Sequence, residues 1–171
     1  AHTAFVEQRE SELLEQPLLV RGQLSHPRAG VLVREVQSPY TERTTVADGR
    51  VEVVRDGERE RRFSLRNAPE LAALLAGFEG MVTGERALLE RHYSMTLQRE
   101  GDSWLLTLVP RDPRSARRVE ELRLSGRGRE LLCTEVRQPE GQGSRMLVGP
   151  AAARADADAA DLAALFADAC R

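Results

Sequence analysis

A period-two alternation runs through the first third of this chain and sets what it can become. Leu18, Val20, Gly22 and Leu24 fall on one side of an extended segment, and Leu19, Arg21, Gln23 and Ser25 fall on the other. That is the pattern of a half-buried strand. Out to Leu65 the valine-rich runs are broken at regular intervals by Pro27 to Gly30, Pro39, Asp48-Gly49 and Asp56-Gly57. Asp-Gly pairs suit tight hairpins because both central positions of such a turn take positive φ. This half reads as an antiparallel meander.

The period then changes. Leu71, Leu74, Leu75 and Phe78 recur at helical spacing behind Pro69 and ahead of Gly80, and a second helix is expected from Thr83, with Leu88 and Leu89 on its apolar side. Strand alternation returns with Tyr93, Met95 and Leu97, turns at Glu100-Gly101-Asp102, and continues through Trp104, Leu106 and Leu108. Further strands are expected around Val119 to Ser125, Arg129 to Gln138 and Ser144 to Gly149. A closing helix spans about Asp156 to Ala169. Its acids Asp156, Asp158 and Asp161 lie at the positive end, and Leu162, Leu165, Phe166 and Ala169 form one stripe.

The count is about eleven short strands, with two helices inserted after the sixth and one at the end. Strands twist by about −20 to −25° each, so a sheet that wide does not stay flat. The predicted class is α+β, mostly β: a strongly curved antiparallel sheet, an incomplete β-barrel of about eleven strands, covered by about three helices. We read residues 1–171 as a single domain, with inserted lid helices near 69–90 and a C-terminal helix near 156–169.

Charge narrows the function. Twenty-five basic residues face 27 acids, giving a formal net charge of −2, so no nucleic-acid partner is expected. All the basic residues are arginine and isoleucine is absent, which we read as codon bias rather than physics. Aromatics are 4% of the chain, too few for a stacking platform. No apolar run approaches the roughly 18–20 residues that a membrane-spanning helix requires. The chain opens at Ala1 without a signal-peptide pattern, which fits a processed or trimmed chain. Cys133 and Cys170 are too far apart for a CxxC pair or a zinc knuckle. Either they form one disulfide that ties down the C-terminus, or they stay unpaired with Cys133 as a small core residue, and the second is our default.

Catalytic chemistry finds little to work with. His2, His26 and His92 are isolated, no GxSxG occurs, and Gly126-Arg127-Gly128 lacks the rest of a phosphate-binding fingerprint. Glu120 and Glu121 are neighbours in a strand, point to opposite faces, and cannot share a proton. The chain reads as a non-enzyme without metal or cofactor. What remains is an apolar concavity, wider than a self-filling barrel, that helices or a ligand must occupy. Its expected lining is Leu24, Leu32, Val53 and Phe63 from the early strands and Leu74, Leu75, Phe78 and Met81 from the inserted helices. Tyr93, Met95, Leu97, Trp104, Leu106 and Leu108 complete it from the later strands.

The segment GQLSHPRAGVLVR, Gly22 to Arg34, followed by Pro39 and by VADG ending at Gly49, resembles the early strands of the periplasmic lipoprotein carrier LolA. The upstream AFVEQR is similar to that family's first-strand pattern. RHYSMTLQ and WLLTLVPRDP look like the paired strands after its helical insertion, especially in a divergent LolA-related branch. The likeness covers about residues 3–149 and rests on the order of the segments. It implies a monomeric periplasmic carrier of lipoproteins or other acylated or lipidic cargo. Its implied partners are an inner-membrane ABC-type releasing complex and an outer-membrane acceptor. It also implies that Arg28 latches the lid, since a guanidinium offers five donors to lid carbonyls. Arg34 stands where the family usually has a cavity tryptophan, which makes it a candidate for cargo selectivity. Two alternatives stay open: a specialised carrier of a pigment, polyene or glycolipid, and a non-carrier envelope interaction domain.

Overall fold

The computed structural model describes residues 2–79, 89–155 and 159–171. Eleven strands form one antiparallel sheet. In chain order they are β1 (His2–Glu10), β2 (Leu18–Ser25), β3 (Leu32–Ser38), β4 (Glu42–Ala47), β5 (Arg50–Arg55), β6 (Arg61–Ser64), β7 (Tyr93–Glu100), β8 (Ser103–Pro110), β9 (Glu121–Arg127), β10 (Glu130–Arg137) and β11 (Gly143–Val148). In space the order is β6-β5-β4-β3-β2-β1-β11-β10-β9-β8-β7. Two meanders are thus joined where the first strand pairs with the last, with Phe5 opposite Val148 and Glu7 opposite Met146. The sheet is curved and open: among the described residues neither β6 nor β7 has a second strand partner.

Turn chemistry accounts for most of the connections. Asp48 and Gly49 both take positive φ, 52° and 73°, and join β4 to β5 in the tight turn that an Asp-Gly pair favours. Asp56-Gly57 does not repeat this. The β5–β6 ladder begins only at Val53 opposite Arg61, so a charged loop separates the two strands. That loop is exposed, which explains why acids and arginines sit there instead of a two-residue turn.

The helices are α1 (Pro69–Glu79), α2 (Pro113–Ala116), α3 (Pro150–Ala153) and α4 (Ala159–Ala169), with a helical turn at 89–92. The expected start of a second lid helix at Thr83, the residue Met81, and Asp156 with Asp158 lie outside the described residues, as does the side chain of Phe78. The helix α1 lies on the concave face against β9 and β10, where Ala72, Ala73, Leu74 and Leu75 are buried with Leu24, Leu32, Leu108 and Leu124.

The closing helix takes the other side. Instead of covering the trough, α4 packs on the convex face. There Leu162, Phe166 and Ala169 meet Val6, Cys133 and Leu147, joined by Ala151 and Ala152 of α3. The reason lies in the middle of the sheet. β1 and β11 are apolar on both faces, with Phe5 and Val148 turned inward and Val6 and Leu147 outward, so both faces need cover. Burying Phe166 fully contributes about 1.5–3 kcal/mol. Polar contacts add to this: the Ser125 hydroxyl donates to the Ala169 carbonyl at 2.7 Å, and the Arg145 guanidinium lies 4.5 Å from the centre of the Phe166 ring.

Cys133 and Cys170 form a disulfide, correcting the expectation of unpaired thiols. A one-residue bulge between Leu131 and Cys133 switches β10 so that Cys133 faces outward, opposite Ser125 and toward the end of α4. The alternation read from sequence does not reveal that shift.

Candidate functional site

The site is built on the concave face. Residues of one parity on every strand point there, and α1 lies over them. Two clefts flank the helix. The first, about 370 Å³, is bounded by Leu65, Asn67, Glu70, Leu89, Tyr93 and Val119. The second, about 220 Å³, lies between α1 and strands β1, β3 to β6, β10 and β11. Its lining mixes apolar residues, among them Val53, Phe63, Leu71, Leu74 and Met146, with the charged Glu7, Arg9, Arg34, Glu42, Arg61 and Glu70. Ligand pockets usually measure about 300–1,000 Å³, so with α1 in place the first cleft falls at the lower end of that range and the second below it.

The expected lining residues separate into three groups. Val53, Phe63 and Leu74 border the second cleft and Tyr93 the first. Leu24, Leu32, Leu75, Leu106 and Leu108 are buried beneath the helix, with Met95 and Trp104 half-buried against them. Leu97 lies on the same face of β7 but at the free edge, 50% exposed and beyond the helical cover. Trp104 is fixed by its neighbours: its indole lies over Gly126 and its Nε1 donates to the Gly128 carbonyl at 3.1 Å. A methyl group at Gly126 would sit 2.2 Å from both the ring and the Glu130 carbonyl. Gly126→Ala is therefore expected to cost about 1–3 kcal/mol of stability in a urea titration and to shift the tryptophan fluorescence. An unaltered emission maximum would mean that the ring does not rest there.

Arg34, expected at the wall or rim, is inside. It is 7% exposed and belongs to an ion network that crosses five strands. Its Nη2 donates to Glu7 Oε2 at 2.5 Å and its Nη1 lies 3.6 Å from Glu42 Oε1. Arg9 donates to Glu7 at 2.8 Å and Arg55 to Glu42 at 3.0 Å. The Arg55 guanidinium lies 3.9 Å from the Tyr40 ring centre, and that of Arg34 lies 4.9 Å from the Phe5 ring centre. Gly22, on β2 between them, makes this crossing feasible: an added Cβ would stand 2.8 Å from the Phe5 ring.

Glu7, Arg9, Glu42 and Arg55 were not singled out from the sequence, yet a signal was there. Each falls on the inward parity of its strand, interrupting runs such as Phe5-Val6-Glu7 and Glu42-Arg43-Thr44-Thr45-Val46. A charge on the buried parity calls for a partner of opposite sign on the same face.

Burial alone would raise the Glu7 carboxyl, but Arg34 and Arg9 together outweigh it and hold the group below its ordinary range. The lowered value means that Glu7 contributes stability above its unfolded pKa of about 4.3, and that this is lost as pH falls through its folded pKa. A thermal-denaturation series from pH 6 to pH 2 should therefore show an acid limb that Glu7→Gln flattens. Parallel curves would remove Glu7 from acid stability.

Glu70, on the first turn of α1, shifts the other way. Crowding by protein pushes it up and Glu7 adds to the effect, while Arg9 and Arg34 oppose it. Its side chain still reaches water at the cleft mouth. The Tyr93 phenol is pushed up to about 12, mainly by burial and secondarily by Glu70.

Arg28 lies exposed in the loop between β2 and β3. The grouping with metal-ligand proximity among the described residues is Cys133, Glu135 and Cys170, and its two sulfurs are spent on each other.

Residues 1–170 match the family model described as outer membrane lipoprotein carrier protein LolA-like. The chain belongs to this family. No curated protein matches it. Among solved structures, this LolA-like chain is similar to a LolA superfamily protein from Nitrosomonas europaea, at 10% identity and a TM-score of 0.42, over 86% of this chain and 83% of that one. It is similar to MucB in the MucA/MucB complex of Pseudomonas aeruginosa, at 16% identity and a TM-score of 0.45, over 92% of this chain and 55% of that one. The LolA-like chain thus spans about half the length of MucB. A third likeness is to a putative outer membrane lipoprotein-sorting protein domain from Vibrio parahaemolyticus, at 12% identity and a TM-score of 0.41, over 84% of this chain and 68% of that one.

Proposed function

We propose that this LolA-like protein is a periplasmic carrier that holds acyl chains of a lipoprotein or lipid in its concave trough and passes them to the outer membrane. The observation that carries the reading is the position of α1. It lies on the open face of the sheet with its leucines in the place of a ligand, and clefts open on both sides of it. Each CH₂ withdrawn from water contributes about 0.8 kcal/mol, so a multi-chain lipid does not cross an aqueous gap unshielded. Burial that tight would also prevent release. The helix resolves the conflict by competing for the trough: it fills the space when cargo is absent, and its return offsets the cost of letting cargo go. The disulfide suits an oxidising compartment such as the periplasm, and no described helix is long and apolar enough to cross a membrane. The partners in this scheme are an inner-membrane ABC-type releasing complex and an outer-membrane acceptor.

Competition between helix and cargo has a measurable consequence. Leu74→Ala weakens the internal occupant, so the apparent affinity for a neutral apolar probe should rise several-fold even as stability falls. Loss of stability with no gain in binding is the signature of a permanently filled core. That outcome favours the second reading, an envelope interaction domain, for which the near-complete burial of Leu74 and Leu75 speaks. Mass spectrometry of lipids co-purified under native conditions tests the carrier directly and also separates acylated cargo from a pigment, polyene or glycolipid. Arg28 is proposed as the lid latch. Arg28→Leu is expected to leave cargo uptake intact and slow transfer to acceptor vesicles, and unchanged transfer kinetics would take Arg28 out of the mechanism.

A further inference from the structure

The two margins of the open sheet are built differently. At one end β6 has four residues, and its Arg62 is tied to Glu52 and Glu60, the short charged form that keeps an edge from pairing. At the other end β7 has none of these safeguards. It runs for eight residues, matches β8 from Tyr93–Pro110 to Glu100–Ser103 with no shift of register, and contains no proline and no charge before Arg99. Apolar surface lies open on both faces of this margin. Leu97 is 50% exposed, and Val109, the neighbour of Ser94 across the ladder, is 44% exposed.

Which backbone groups are free follows from the ladder. The Arg111 amide donates to the His92 carbonyl at 2.8 Å, so the bonded pairs are those of the even-numbered β7 residues, out to Glu100 and Ser103 at the Gly101-Asp102 turn. Tyr93, Met95, Leu97 and Arg99 therefore turn their amides and carbonyls away from β8. The Tyr93 carbonyl agrees, since it accepts from the Arg111 guanidinium at 3.1 Å. Among the described residues nothing bonds to the outward groups of Met95, Leu97 and Arg99.

A strand from another molecule suits such an edge, and β7 suits itself. Two copies related by a two-fold axis perpendicular to the sheet pair antiparallel, and residues opposite one another must then lie on the same face. The register that sets Met95 against Leu97 of the second copy uses the outward groups from Tyr93 to Arg99, about eight backbone hydrogen bonds. It puts apolar against apolar, and the Tyr93 ring against the Arg99 guanidinium. Like charges do not meet. Sliding by two residues one way sets Met95 against Arg99, the other way brings Arg91 to Arg99, and either slide loses bonds within the strand.

We propose that β7 is a self-association edge: a second copy of this chain adds its own β7 there, antiparallel, with Thr96 facing Thr96 on the two-fold axis. The two concave faces then open on the same side of one continuous sheet. One strand pair falls in the class of weak interfaces, below about 1,200 Å², so the dimer forms at concentrations on the order of 10–100 μM. At high dilution the chain stays the monomer that the family resemblance implies. The inference is independent of the carrier reading, and neither fails with the other.

Sedimentation equilibrium of the full chain is the test. The average mass should climb from 19.0 kDa towards twice that value between about 1 and 300 μM. Leu97→Pro removes an amide that serves only the free edge, where proline is tolerated, and should hold the chain at the monomer mass with an unchanged circular dichroism spectrum. Leu97→Lys keeps the backbone and should weaken association about tenfold, because the dimer contains the Met95–Leu97 contact twice. Thr96→Cys reads the register. Residues opposite one another in a non-bonded pair have Cα atoms about 4.5 Å apart, within disulfide reach, so mild oxidation should cross-link this variant into a dimer on a non-reducing gel. Gln98→Cys, about 14 Å from its counterpart, should not cross-link. A mass of 19.0 kDa throughout the concentration range overturns the proposal. So does a dimer that both Leu97 variants leave intact, or one that cross-links through Gln98→Cys in place of Thr96→Cys.

Discussion

Glu7→Ala is expected to destabilise the protein by about 3–5 kcal/mol, the cost of removing one partner from a buried ion pair. Its consequence falls on Arg34, which is 7% exposed and would keep only the Glu42 carboxylate at 3.6 Å. The reverse truncation should be milder. In Arg34→Met, Glu7 retains Arg9 at 2.8 Å and Glu42 retains Arg55 at 3.0 Å, so no carboxylate is orphaned, and a flexible apolar chain fills the space beside Phe5. Urea denaturation of the two variants should rank them in that order by at least about 1 kcal/mol. An equal or inverted ranking would show that water reaches Arg34 and that the network is not desolvated.

Opening the disulfide is the second large effect. It closes a loop of 37 residues, for which the chain-entropy model gives about 4 kcal/mol. Cys133→Ala with Cys170→Ala should lower stability by about 2–4 kcal/mol. Added reductant should do the same to the parent protein and nothing to the variant. The loss should be local. Hydrogen exchange is expected to speed up in α4 and the outward side of β10, while the concave face and probe affinity change far less, because α4 and the trough lie on opposite sides of the sheet. A drop in probe affinity that parallels the stability loss would mean that the two faces are coupled.

Much of the architecture was legible because period and punctuation agree. Leu18 to Ser25 alternates as read, and Asp48-Gly49 turns where its chemistry says it should. The helix behind Pro69 follows from Leu71, Leu74 and Leu75. The face on which α4 docks was not legible, because an apolar stripe such as Leu162, Leu165 and Phe166 says only that a surface is needed, not which one. The answer was in the partner strands, in continuous runs like Met146-Leu147-Val148 that leave no side free for water. The disulfide hid behind a bulge, which alternation does not register. The buried ion network was missed for a different reason. Arg34 was weighed alone, as a departure from an expected tryptophan, although its counter-ions Glu7 and Glu42 lie on inward positions of other strands. Their proximity comes from the ladder, not from spacing along the chain.

The seam between β1 and β11 also constrains how the molecule is made. The strand at the centre of the sheet is completed by residues 143–148, nearly the whole chain later. Until those residues emerge from synthesis, β1 keeps an open backbone edge with Val6 and Phe5 uncovered on its two faces, a template for unwanted pairing. Assembly is therefore governed by contacts remote in sequence.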